Sequence, residues 1–118
     1  MSGNDLLYFL MTLPILLLAL SVHEYAHALV AVKLGDGTPK WEGRLTLNPL
    51  AHLDPVGLLA LVLTRRFGWA KPVRVNPSNF ANREAGMVMV SLAGPGANVI
   101  LAMLLSAMIK LIFGVYGF

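Results

Sequence analysis

The sequence predicts a membrane α-helical fold: two long transmembrane helices flanking a membrane-associated middle region, which holds a short β-hairpin and a short re-entrant or partly embedded helix. Three observations lead there. Hydrophobic residues make up 57% of the 118 and charged residues 13%, and the mean hydropathy is +0.70, a balance outside the usual range of soluble domains. Two apolar runs near the ends are long enough to cross a bilayer. Nearly all the positive charge falls between them. Residues 1–118 are read as a single polytopic membrane domain, without internal repeats or low-complexity tracts.

The first element runs from Asp5 to about Val32, rich in helix formers, free of Gly and interrupted only by Pro14. About 28 residues at 1.5 Å each give roughly 42 Å, longer than a hydrocarbon layer of roughly 30 Å, so one end protrudes or tilts. Pro14 removes a backbone donor and is expected to bend the helix. No Lys or Arg precedes the run and no small-residue cleavage site follows it, so a retained membrane helix is expected.

Gly35-Asp36-Gly37-Thr38-Pro39 stops that helix. Trp41 to Leu47 (WEGRLTL) partly alternates, which predicts a short strand or hairpin, and Asn48-Pro49 closes it. Val56 to Leu63 (VGLLALVL) is too short to cross unaided, at about 12 Å as a helix, and suits a re-entrant or partly embedded element ending at Arg65-Arg66. Phe67 to Pro77 (FGWAKPVRVNP) mixes aromatic, basic and Pro residues as segments at the bilayer interface do.

Ala85 to Ile109 is then free of charge over 25 residues, enough to span. Within it Gly94-Pro95-Gly96 predicts a kink or a helix start. Eight of the nine Lys and Arg residues (Lys33, Lys40, Arg44, Arg65, Arg66, Lys71, Arg74, Arg83) lie between the two long runs. By the positive-inside rule the middle region faces the cytoplasm, so the expected location is an integral, multi-pass protein of a bacterial cell membrane. The net charge of +3 is thereby explained by topology: the partner is the lipid bilayer, and no aromatic or Gly-rich nucleic-acid motif accompanies the basic residues.

Against this apolar background His23, Glu24 and His27 stand out. On a helix the two His lie four residues apart and project from one face, suited to binding one Zn²⁺ through two imidazole nitrogens. Glu24 sits about 100° round the helix, where it can reach a water at the metal without ligating it, as the general base of a zinc hydrolase does. Taken singly, each residue could simply mark the emerging end of a helix. His-Glu-x-x-His arises by chance in a chain of this length at a frequency on the order of a few per thousand, which favours the metal. With no Cys in the chain, any transition metal here is held by nitrogen and oxygen. His27 is six residues before Lys33, about 9 Å inside the expected cytoplasmic boundary, so a polar channel from that side, walled by the middle region, is expected.

The ordered series HEYAHA, LGD, GRLTLNPLAHLDPVG, FGWAKPVRVNP and SLAGPGAN resembles the site-2 protease family of intramembrane zinc metalloproteases, in particular its small bacterial branch, over nearly the whole chain. The resemblance implies a zinc endopeptidase that cuts transmembrane segments of other proteins, with His23 and His27 as ligands and Glu24 as catalytic base. It also implies a sheet-like middle segment, for which Arg44 to Leu47 is the candidate edge that pairs with an unwound substrate.

In that family an Asp in a later Leu-Asp-Gly motif, behind an Asn-Leu-Leu-Pro-like stretch, supplies the third ligand; the 118 residues contain neither. A catalytic zinc normally has three protein ligands. His52 and Asp54 are the available substitutes, although the resemblance gives His-x-Asp-Pro a structural role, with the Asp capping a turn and the His satisfied by backbone. Asn98 is expected to pack or bond between helices. The simplest expectation is the N-terminal portion of a longer protease; the alternative is a non-catalytic membrane module, a pseudoprotease or client-binding partner.

Overall fold

A computed structural model describes residues 3–115. The first apolar run forms one helix, α1 (Gly3–Lys33), which carries Pro14 in its interior. Asp5 in the first turn and Lys33 in the last complement the helix dipole. Its end is fixed by Gly35, at φ +110°, where a residue with a Cβ would be strained. The Asp36 N–H donates to the Ala31 carbonyl at 2.9 Å and the Gly35 N–H to the Val32 carbonyl at 3.1 Å, the bond pattern of a Schellman cap. A Cβ on Gly35 would also stand 2.9 Å from the Asn79 carbonyl oxygen, so the turn lies directly against the segment leading into the last helix.

The predicted hairpin over Trp41–Leu47 does not form, and no strand occurs among the described residues. A four-residue helix, α2 (Thr38–Trp41), takes its place. Gly43 at φ +72° reverses the chain, and the Arg44 N–H closes the turn on the Pro39 carbonyl at 2.8 Å. Arg44 to Leu47 is therefore not a sheet edge. The alternation in WEGRLTL is overridden because Arg44 is buried as a bonding centre, as a strand edge would not allow. Its guanidinium donates to His52 Nδ1 at 3.2 Å, to the Lys71 carbonyl at 2.5 Å and to the Pro72 carbonyl at 3.1 Å.

A 3₁₀ turn at Pro49–Ala51, capped by Asn48, leads to α3 (Pro55–Thr64). The α3 helix has ten residues, about 15 Å, too short to cross a bilayer. The Asp54 side chain caps it by accepting from the Val56 and Gly57 N–H groups, Pro55 occupies the first turn, and Arg65 stops it in the left-handed region. The chain then doubles back along α3. Trp69 Nε1 donates to Asp54 Oδ2 at 3.2 Å, Leu53 and Ala70 form an antiparallel bridge, and a Cβ on Gly57 would run into the Trp69 carbonyl.

After a second 3₁₀ turn, Pro77–Asn79, α4 (Arg83–Val115) completes the fold. The Asn82 side chain accepts from the Ala85 N–H at 3.0 Å, and Glu84 adds negative charge to the first turn. Gly94-Pro95-Gly96 does not start a helix: α4 passes through it unbroken. The only backbone donor lost is that of Pro95, a loss membrane helices tolerate when neighbours cover the freed carbonyl.

Helices α1 and α4 pack as an antiparallel pair, His27 meeting Val90 and His23 meeting Asn98. Small residues on α1, the buried Ser21, Ala28 and Ala31, allow that approach. At the end of the seam nearest the turns Ala31, Phe80 and Val90 form the core, backed by Val30, Leu34, Val75 and Met87. Elsewhere the apolar side chains face outward: only 6% of the most apolar stretch of α1 and none of that of α4 is buried. A soluble protein could not leave two such surfaces in water. The chain is a membrane protein of the α-helical class.

Candidate metal centre

Both imidazoles stand on α1 where α4 crosses it. Their rings meet edge to face, centroids 4.5 Å apart at 79°, and the two Nε2 atoms are 2.9 Å apart. The i, i+4 spacing read from sequence thus converges two nitrogens on one point, as two ligands of a single cation require. The orientation of His27 is set from the other side of its ring: Nδ1 donates to the Val90 carbonyl at 2.6 Å. That bond places the His27 proton on Nδ1 and leaves Nε2 bare, the tautomer a metal ligand needs.

Gly94 shapes the cradle. An ideal Cβ there would lie 2.7 Å from Cε1 of both His23 and His27, and nearer still to His27 Nε2. Only glycine lets α4 pass over the imidazole pair. The sequence pointed to Gly94-Pro95-Gly96 as a kink or a helix start, and a glycine inside a long apolar helix equally signals close approach. The Val90 carbonyl, a backbone group, had no sequence signal of its own.

Asn98 borders His23, its Nδ2 3.4 Å from His23 Nδ1. Its carbonyl oxygen is buried and has no hydrogen-bond partner among the described residues. Glu24 follows His23 directly, half-buried.

His52 and Asp54 do not join the site, and among the described residues no group of three His, Cys, Asp or Glu could hold a metal. His52 is fully buried with both ring nitrogens engaged: Nε2 donates to the Thr46 carbonyl at 2.8 Å and Nδ1 accepts from Arg44. Asp54 is spent on the α3 cap and on Trp69. Although burial would raise its pKa, bonds from the Gly57 and Val56 N–H groups and Trp69, with Lys71 nearby, hold it below the ordinary range. A wide cleft of about 520 Å³ lies away from the imidazoles, between Glu42, Arg44, Ala51, Lys71, Pro72 and Arg74.

A donor set of two converging imidazole nitrogens, one locked by a backbone carbonyl, fits Zn²⁺. As seen here it is two ligands short of a tetrahedron.

No family-wide sequence profile matches the chain, and no solved structure does. Curated proteins do. The protein named "Putative zinc metalloprotease YwhC" of Bacillus subtilis is 52% identical over 87 residues, 74% of this chain and 39% of that protein. The protein named "Putative zinc metalloprotease Rip2" of Mycobacterium tuberculosis is 36% identical over 110 residues, 89% of this chain and 42% of its own length. Its namesake in Mycolicibacterium smegmatis is 36% identical over 103 residues, 82% and 39% of the two chains. The chain thus spans about two fifths of the length of these relatives. The printed names of these relatives agree with the motif series and with the paired imidazoles, and the chain is a homologue of these putative zinc metalloproteases.

Proposed function

We propose that this chain carries the zinc-binding half of an intramembrane metalloprotease that hydrolyses peptide bonds in or near transmembrane segments of membrane proteins. His23 and His27 hold Zn²⁺ through Nε2, and Glu24 is the general base. The observation that carries this reading is the 2.9 Å approach of the two Nε2 atoms, with the outer nitrogen of His27 already committed to Val90. His52 and Asp54, engaged elsewhere, do not supply a third protein ligand.

When bound, zinc supplies Lewis-acid polarisation of the scissile carbonyl and access to a nucleophile at neutral pH. The chain's own part is proton handling and positioning. Glu24 takes the proton of the attacking water and returns it to the leaving amine nitrogen. Val90 and the glycine face of α4 keep the imidazoles aimed, and the outward apolar surfaces support a site below the membrane surface. The basic residues between α1 and α4 support a multi-pass arrangement with the middle region cytoplasmic, so substrate is cut near the inner leaflet.

The test is Glu24→Gln in the full natural polypeptide. Zinc content should stay at the parent level while cleavage of a membrane-embedded substrate falls by about 10²-fold or more. Cleavage at parental rate would sink the assignment. His27→Ala should instead lower both zinc content and cleavage.

A further inference from the structure

The two imidazoles are not equally prepared for a metal. The proton of neutral His27 sits on Nδ1, bonded to the Val90 carbonyl, so its Nε2 can only accept. Across the 2.9 Å contact between the Nε2 atoms the proton therefore belongs to His23. That leaves His23 Nδ1 bare, accepting from Asn98 Nδ2 at 3.4 Å. The His23 tautomer is thus the wrong one for ligation: the nitrogen that must face the metal carries the hydrogen.

Freeing Nε2 without changing the charge of the ring requires the proton to reside on Nδ1, where it needs an acceptor. The side chain in contact with Nδ1 is Asn98, and its Oδ1 is the one buried side-chain polar atom left unbonded among the described residues. Half a turn about Cβ–Cγ exchanges the amide's oxygen and nitrogen and sets Oδ1 opposite Nδ1.

We propose that Asn98 is a positioning residue for the metal site, its carboxamide turning over to accept from His23 Nδ1–H and so holding Nε2 bare toward the cation. The inference rests on the reading of His23 as a zinc ligand. The amide serves either ring form, donating when Nδ1 is bare and accepting when it is protonated. It acts on His23 as the Val90 carbonyl acts on His27, so α4 sets both tautomers.

The experiment titrates zinc against a competing chelator in the full natural polypeptide in detergent, comparing parent, Asn98→Leu, Asn98→Asp and His23→Ala. Asn98→Leu, similar in volume without an acceptor, should weaken zinc binding by about 10–100-fold, and Asn98→Asp, which keeps an acceptor oxygen, should recover most of that loss. In the parent, ¹⁵N spectra should find the His23 proton on Nε2 without zinc and on Nδ1 with it, a readout that needs no variant to fold. Parental affinity in Asn98→Leu alongside a loss in His23→Ala would overturn the role of Asn98 alone. Unchanged affinity in His23→Ala would overturn the metal site itself.

Discussion

Gly94 on α4 faces the His27 ring on α1 with no room between them for a methyl group. Gly94→Ala should therefore displace the imidazole pair or push the helices apart, costing about 1–3 kcal/mol of stability as overpacking does and lowering zinc affinity at least about tenfold. Gly96, two residues on, has nothing within 4 Å of its added Cβ, so Gly96→Ala should be neutral or stabilising. Thermal unfolding in detergent and zinc titration of the two variants check this; equal behaviour would remove the close approach from the account.

Asp36 is fully buried where the end of α1 meets the start of α4. Burial alone would raise its pKa. It accepts from the Thr38 hydroxyl, Asn79 Nδ2 and the Asn76 and Thr38 N–H groups, which outweigh that and hold the carboxyl below its ordinary value. A pKa lower in the folded state means a contribution fully present above the unfolded value of about 3.9 and lost as pH falls through it toward the folded value. Asp36→Asn should cost about 1–3 kcal/mol at neutral pH and flatten the acid limb of a stability-versus-pH curve. A variant that kept the full acid limb would place that response elsewhere.

Arg44 fastens the loop before α3 to the segment after it, through His52, Lys71 and Pro72. Arg44→Met fills much of the space but strands those acceptors, at about 1–3 kcal/mol for each buried group left unpaired. Arg44→Lys should rescue little, since one ammonium cannot span a fork of three partners. Protease accessibility of the loops around residues 44–52 and 68–74 is the measurement, with earlier cutting expected in both variants.

Gly57 lets the Trp69 backbone lie on α3. Gly57→Ala should release that segment despite the gain in helix propensity of about 1 kcal/mol that alanine brings, because the added atom meets the Trp69 backbone as well as its side chain. Trp69 fluorescence should shift toward the exposed form; an unchanged spectrum would contradict the packing.

Much of this was legible beforehand because long-range position in a membrane protein follows local composition. Both long helices, the short embedded-length α3 and the imidazole pair come from run length and i, i+4 spacing. WEGRLTL misled because alternation signals a half-buried surface without saying what buries it, and the burial came from the Arg44–His52 contact. Gly94-Pro95-Gly96 read as a kink or a helix start because Gly and Pro punctuate soluble helices; the helix runs on through it, and here glycine admits a neighbour. Asp36 carried a fainter signal, a carboxylate between two glycines and ahead of Thr38, the setting of an Asx turn. Its partners Asn76 and Asn79 are 40 and 43 residues away, a pairing that single-sequence pattern cannot supply.

The bond from His27 to Val90 joins residues 63 positions apart in the chain. Until α4 docks on α1 the Val90 carbonyl is not there to hold the hydrogen on Nδ1. The aim of the imidazole is thus a property of the assembled helix pair and not of α1 alone.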